Sequence, residues 1–220
     1  ETSAPNGYVI AEDVSFTVNP DGSVTNVEMQ DDVTKVSISK TDITGDKELA
    51  GAALEVRDSN DNVIDAWVSD GTAHQINGVL VAGATYTLHE VSAPAGYTLA
   101  KDVEFTVSET GEIDYVQMID DTTKVSISKK TLTGSDELEG AELKLYEVTE
   151  NALGETTETE VDAWTSGTEA HVINGKLIAG GKYKLVEVTA PKGYQVAEAV
   201  TFTVNKDGSL TEVVMRDAAE

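Results

Sequence analysis

Apolar and polar residues alternate in short runs along most of the chain, and these runs are rich in Val, Ile, Thr and Tyr. Alternation with period two puts every second side chain on one face of an extended segment, the pattern of a half-buried β-strand. Turn-forming clusters such as Asn19-Pro-Asp-Gly22, Asn77-Gly78 and Asn205-Lys-Asp-Gly208 separate the runs. Between residues 33 and 121 the pattern predicts strands near 34–41, 52–58, 62–68, 73–81, 85–92, 102–108 and 112–120. No segment keeps an amphipathic helical pattern over three turns. About seven short strands in roughly 90 residues predict an all-β, Ig-like antiparallel β-sandwich.

The pattern repeats. Thr34-Lys-Val-Ser-Ile-Ser-Lys40 recurs unchanged as Thr123-Lys-Val-Ser-Ile-Ser-Lys129, an offset of 89. Tyr86-Thr-Leu-His-Glu-Val-Ser-Ala-Pro-Ala-Gly-Tyr97 recurs in kind as Tyr183-Lys-Leu-Val-Glu-Val-Thr-Ala-Pro-Lys-Gly-Tyr194, an offset of 97. The eight additional residues fall between Tyr146 and Trp164, where the polar stretch Asn151–Glu160 reads as an enlarged hairpin loop. Glu1-Thr-Ser-Ala-Pro-Asn-Gly-Tyr8 matches Glu90 to Tyr97, and Phe16-Thr-Val18 matches Phe105-Thr-Val107. The expected organisation is therefore tandem: the C-terminal part of a preceding repeat in 1–32, then complete repeats in 33–121 and 122–220. The junctions Asp31-Asp-Val-Thr-Lys35 and Asp120-Asp-Thr-Thr-Lys124 contain no Gly/Ser linker, which predicts a stiff string of neighbouring repeats.

Composition narrows the function. The 220 residues carry 40 acidic and 15 basic side chains, a net charge of −25. Nucleic acid is excluded as a partner, because binding it needs a basic face. There are no cysteines, so disulfides and thiolate metal sites are excluded. No apolar run reaches membrane-spanning length, so no direct membrane insertion is expected. The chain opens inside a repeat motif, and it reads as a fragment of a longer protein.

Strand parity then picks out three polar residues on the wrong face. Val36, Ile38 and Lys40 share a face; so do Tyr86, Leu88 and Glu90, and Val116, Met118 and Asp120. The next repeat aligns Val125, Ile127, Lys129; Tyr183, Leu185, Glu187; and Val213, Met215, Asp217. In the partial repeat the set is Val27, Met29, Asp31, with Glu1 at the glutamate position. The apolar members define the core face, so each complete repeat aims one lysine and two carboxylates inward. Isolated buried charges are costly and normally pair or neutralise. Structural ion pairs, or strand-end residues that reach water, are alternatives that parity alone leaves open.

Several motifs break the tie. Tyr86-x-Leu-x-Glu90-x-x-Ala-Pro-x-Gly-Tyr97 and its copy ending at Tyr194 resemble the E-box of Cna protein B-type (SpaA-like, prealbumin-like) domains of Gram-positive surface adhesins and pilins. Glu48-Leu-Ala-Gly-Ala52, Trp67-Val-Ser-Asp-Gly71 and Phe105-Thr-Val107 resemble the isopeptide-forming fibronectin-binding-protein domain used for tag/catcher ligation. The resemblance covers essentially the whole chain. It implies tandem prealbumin-like sandwiches in which a first-strand lysine is joined to a last-strand Asp, assisted by a central glutamate. By position these are Lys40, Asp120 and Glu90, then Lys129, Asp217 and Glu187. Asp at each acceptor position implies loss of water on bond formation. Val91 and Val188 depart from the E-box Thr that remains as Thr2, and their side chains are expected to face away from the glutamates. A low-dielectric site favours a neutral amine and a protonated carboxyl, which are nucleophile and electrophile.

The implied function is a structural stalk of a cell-wall-anchored extracellular protein, an adhesin or a pilus. Its partners would be neighbouring repeats of the same polypeptide and, through a distal domain, a host extracellular-matrix protein. The alternative is a module that binds such a ligand directly, through the insertion or an exposed sheet edge. A turnover enzyme is not expected, because the bond forms once and consumes its own residues. No cofactor is implied, and no metal site either. Asp58-Ser-Asn-Asp-Asn62 lacks the glycine and terminal glutamate of a calcium loop. His74 and His171 belong to no His/Cys cluster.

Overall fold

The computed structural model describes residues 1–220 and divides into two compact units. One comprises residues 1–92 with 101–119, the other residues 93–100 with 120–220. The first complete repeat supplies β1 (Lys35–Asp42), β2 (Ala50–Arg57), β3 (Val63–Asp70), β4 (His74–Asn77), β5 (Thr85–Ser92), β6 (Val103–Thr106) and β7 (Ile113–Asp120). The second supplies β8 (Lys124–Thr131), β9 (Glu142–Glu150), β10 (Thr156–Thr165), β11 (His171–Asn174), β12 (Lys182–Thr189), β13 (Val200–Thr203) and β14 (Thr211–Asp217). Each repeat forms a three-stranded and a four-stranded sheet: β4-β1-β7 with β3-β2-β5-β6, and β11-β8-β14 with β10-β9-β12-β13. No helix is long and apolar enough to cross a membrane.

The core follows the predicted parity. In the second repeat Val125, Ile127, Val213 and Met215 from one sheet meet Leu143, Leu145, Tyr183 and Leu185 from the other. Fully burying one such side chain stabilises by about 1.5–3 kcal/mol. That burial fixes the register, since a one-residue slip would turn every apolar side chain outward. Lys129 and Asp217 lie on the same faces as these residues and are carried inward with them.

Four expectations are corrected. The sandwich is not wholly antiparallel, because β14 pairs with β8 in parallel from Thr211↔Val125 to Asp217↔Thr131. A parallel pair cannot be closed by a hairpin and needs a crossover; here the five intervening strands form it. β4 ends at Asn77 rather than continuing to 81. Gly78 takes φ 67° and turns the chain, donating its N–H to Thr34 O at 2.9 Å. The insertion in the second repeat does not enlarge a loop. It lengthens the β9–β10 hairpin, pairing Thr156↔Glu150 through Glu160↔Tyr146, and leaves only residues 151–155 as the turn. Thr and Glu alternate there, and their β-branched members suit a ladder open to solvent. Finally, Val27, Met29 and Asp31 form no strand and are exposed.

Candidate functional site

In the second repeat the inward trio meets at the end of the core. Lys129 Nζ donates to Asp217 Oδ1 and lies 2.9 Å from Glu187 Oε1. Lys129, Glu187 and Asp217 are 1%, 4% and 1% exposed. The parallel register explains the first contact. Lys129 pairs with Met215 and Thr131 with Asp217, so lysine and aspartate are diagonal neighbours on one face. Glu187 comes from the opposite sheet, where it pairs with Leu143 on β9. The β12–β9 register shifts immediately after it, leaving Val188 as a bulge residue that faces solvent. Such bulges re-aim the neighbouring side chain.

A second anchor holds the glutamate. Ala197 donates its backbone N–H to Glu187 Oε2 at 2.6 Å. The Pro191–Tyr194 turn makes this possible. Tyr194 N donates to Pro191 O at 3.1 Å, and Gly193 takes φ 88°, which favours glycine. The chain then runs back along the C-terminal end, with Gln195 N donating to Ala218 O at 2.9 Å. The same loop forms at the N-terminus, where Ala11 N donates to Glu1 Oε2 at 2.8 Å. There Tyr8 bridges Val33, Val9 N donates to Asp32 O and Thr34 N donates to Gly7 O, each bond 2.9 Å, so the loop docks on the start of the first complete repeat.

The first repeat pairs its lysine and glutamate in the same way. Lys40 Nζ lies 3.0 Å from Glu90 Oε1, and both side chains are closed to solvent. Asp120 ends β7, the sheet neighbour of β1, and is wholly buried. Val91, at the matching bulge, faces solvent. Asp31 is exposed and belongs to no such cluster.

Sequence reasoning missed the backbone donor at Ala197 and a polar stack beside the site. His171 Nε2 is 2.9 Å from Asp162 Oδ2, and its ring stacks on Trp164 at 4.1 Å between centroids. His74, Asp65 and Trp67 repeat this at 2.8 Å and 4.0 Å. The recurrence of Asp-Ala-Trp before each histidine was the available signal. A cavity of about 160 Å³ in the second repeat is lined by Trp164, His171, Lys129 and Glu137 among others. The Asp58 carboxylate accepts Asn60 N, Asn62 N and Asn62 Nδ2, so its oxygens are engaged by their own turn.

The trio's chemistry follows from charge balance. One ammonium and two carboxylates would leave one uncompensated negative charge away from water, an arrangement that is costly. Asp217 Oδ2 is buried and accepts no hydrogen bond, whereas nearly all buried polar atoms in folded proteins have a partner.

The sequence matches the SpaA prealbumin-like fold domain twice, over residues 34–122 and 123–219. The chain belongs to this family. Among solved structures it is similar to the Bacillus anthracis TIE protein, at 25% identity over 86% of this chain and 34% of that one, with a TM-score of 0.47. It is also similar to the shaft pilin SpaA of Lactobacillus rhamnosus GG, at 16% identity over 85% of this chain and 98% of that one, TM-score 0.38. A streptococcal ancillary pilin aligns at 21% identity over 85% of this chain and 63% of that one, TM-score 0.40. The chain thus spans about a third of the length of the first of these. No curated protein sequence matches it.

Proposed function

We propose that the chain is a structural stalk segment of an extracellular surface protein, and that each complete SpaA-type repeat locks itself with one intramolecular Lys–Asp isopeptide bond. The bonds are Lys129–Asp217 and Lys40–Asp120, with Glu187 and Glu90 as proton carriers. The observation that carries this reading is the contact of Lys129 Nζ with Asp217 inside a closed core, with Glu187 at 2.9 Å. In the proposed step neutral Nζ attacks Asp217 Cγ. The N–C bond forms and the C–O bond to Oδ2 breaks. Asp217 is protonated at Oδ2 and Glu187 carries the proton given up by the ammonium; Glu187 hands that proton to the departing hydroxyl, which leaves as water, and takes one from nitrogen in return. The residues are consumed, so this is a single turnover and not enzymatic catalysis on a substrate.

Intact-protein mass spectrometry tests the reading. The folded chain is expected to be two waters lighter than its sequence, and Lys40→Ala and Lys129→Ala are each expected to restore one. A full sequence mass in folded wild-type protein would overturn it.

A further inference from the structure

One carboxylate in each repeat touches the main chain of the lysine rather than its amine. Glu137 Oε2 accepts the backbone N–H of Lys129 at 2.9 Å, and the next residue, Leu138, donates its N–H to Lys129 O at 2.6 Å. In the first repeat Glu48 Oε2 accepts Lys40 N–H at 3.0 Å, and Leu49 N donates to Lys40 O at 2.7 Å. Each lysine is thereby gripped on both backbone polar groups by two consecutive residues.

The grip sits where the sheet gives out. β11 pairs with β8 only as far as His171↔Ile127, two residues short of Lys129. β4 likewise reaches only His74↔Ile38, two residues short of Lys40. A buried backbone N–H without a partner is strongly disfavoured. The isolated bridges Lys130↔Glu137 and Thr41↔Glu48 bring one residue of the following segment alongside, and its side chain substitutes for the missing strand carbonyl. The Glu137 side chain is only 13% exposed, so water competes weakly for the lysine N–H.

We infer that Glu137 and Glu48 are positioning residues for isopeptide formation, holding the lysine backbone so that Nζ stays aimed at its aspartate. Neither carboxylate is in contact with Nζ of its lysine; each acts through the main chain. The inference rests on the bond chemistry proposed above. Small misplacements of reacting groups are enough to slow such a step by about a hundredfold. What the site needs from Glu137 is reach to the N–H rather than charge.

Two conservative variants separate reach from charge. Glu137→Gln keeps a carbonyl oxygen at the same distance from the backbone, and Glu137→Asp keeps the charge but withdraws it by one methylene. The full chain is made by cell-free synthesis and quenched in acid at intervals. Intact mass and a peptide map then give the rate of each bond. Glu137→Asp is expected to slow the 129–217 bond about ten- to a hundredfold, while Glu137→Gln stays within a few-fold of wild type. The 40–120 bond in the same molecules should be unchanged and serves as the internal control. Glu48→Asp and Glu48→Gln should show the converse selectivity. A wild-type rate in Glu137→Asp, or Glu137→Gln as slow as Glu137→Asp, would overturn the positioning role. Absence of both bonds in wild type would instead defeat the bond chemistry itself, before any variant is compared.

Discussion

Ala197 donates its backbone N–H to Glu187 across ten residues of chain, at 2.6 Å. The glutamate is therefore held at one oxygen and left to the lysine at the other. Glu187→Gln can keep the acceptor for Ala197 but cannot carry a proton, and Glu187→Ala loses both roles. Both variants are expected to retain the full water of the 129–217 bond on mass analysis. Only Glu187→Ala also leaves the Ala197 N–H unsatisfied, which costs about 1–3 kcal/mol. Denaturant melts of the two variants, each unlinked, should show Glu187→Gln to be the more stable.

Ser166 links two segments behind the lysine. Its hydroxyl donates to Leu138 O at 2.6 Å and accepts from Ala141 N at 2.9 Å. Ser166→Ala removes a buried donor and acceptor together, and destabilisation of about 1–3 kcal/mol is expected. The measurement belongs in a Lys129→Ala background, where covalent closure cannot mask unfolding. A change below a few tenths of a kcal/mol would show that water replaces the hydroxyl freely.

Covalent closure should govern the response to force. With Lys129 joined to Asp217, the 88 residues of sequence separation between them form a closed loop that tension bypasses. Pulling the ends of the wild-type chain is expected to give no extension from segments 40–120 or 129–217 below covalent rupture. Lys129→Ala should release on the order of 300 Å at ordinary unfolding forces, from about 3.5 Å per residue. In the disulfide analogy such a loop also removes unfolded-state entropy worth about 4–5 kcal/mol. Equal extension in wild type and variant would leave the stalk without its mechanism.

Much of the sandwich was legible because period two is a strong local signal. Val36, Ile38 and Lys40 declared their common face, and Lys40 is buried on β1 as parity required. The E-box turn was legible too, because Pro-x-Gly-Tyr is a local turn signal, and the loop from Glu1 to Ala11 repeats it. Contacts without a local signature were not legible. The parallel β8–β14 register is a choice between distant edges, and nothing in Val213 or Met215 announces a direction. Ala197 contributes through its backbone, which every residue shares. The Thr156–Glu160 stretch has no buried face, so its strand character could not be read from burial pattern. Residues 13–31 show the converse: Phe16, Val18 and Val24 carry a strand-like pattern and stay exposed, since a pattern needs a partner to become a sheet.

Because β8 lies between β11 and β14, the order in which a chain appears matters. Synthesis delivers the N-terminal end first. β8 then waits with one edge open until residues 211–217 arrive, and an open edge can pair with other chains. Lys129 meets no aspartate partner until that last strand docks. A linkage between them would therefore be a chemical time stamp, written only when the whole repeat has emerged and closed in the right register. Molecules that stalled, slipped or swapped a strand would remain two hydrogens and one oxygen heavier for each unfinished repeat. In a mixed population, a mass spectrum would count how many repeats ever reached their native arrangement, long after any of them had unfolded again.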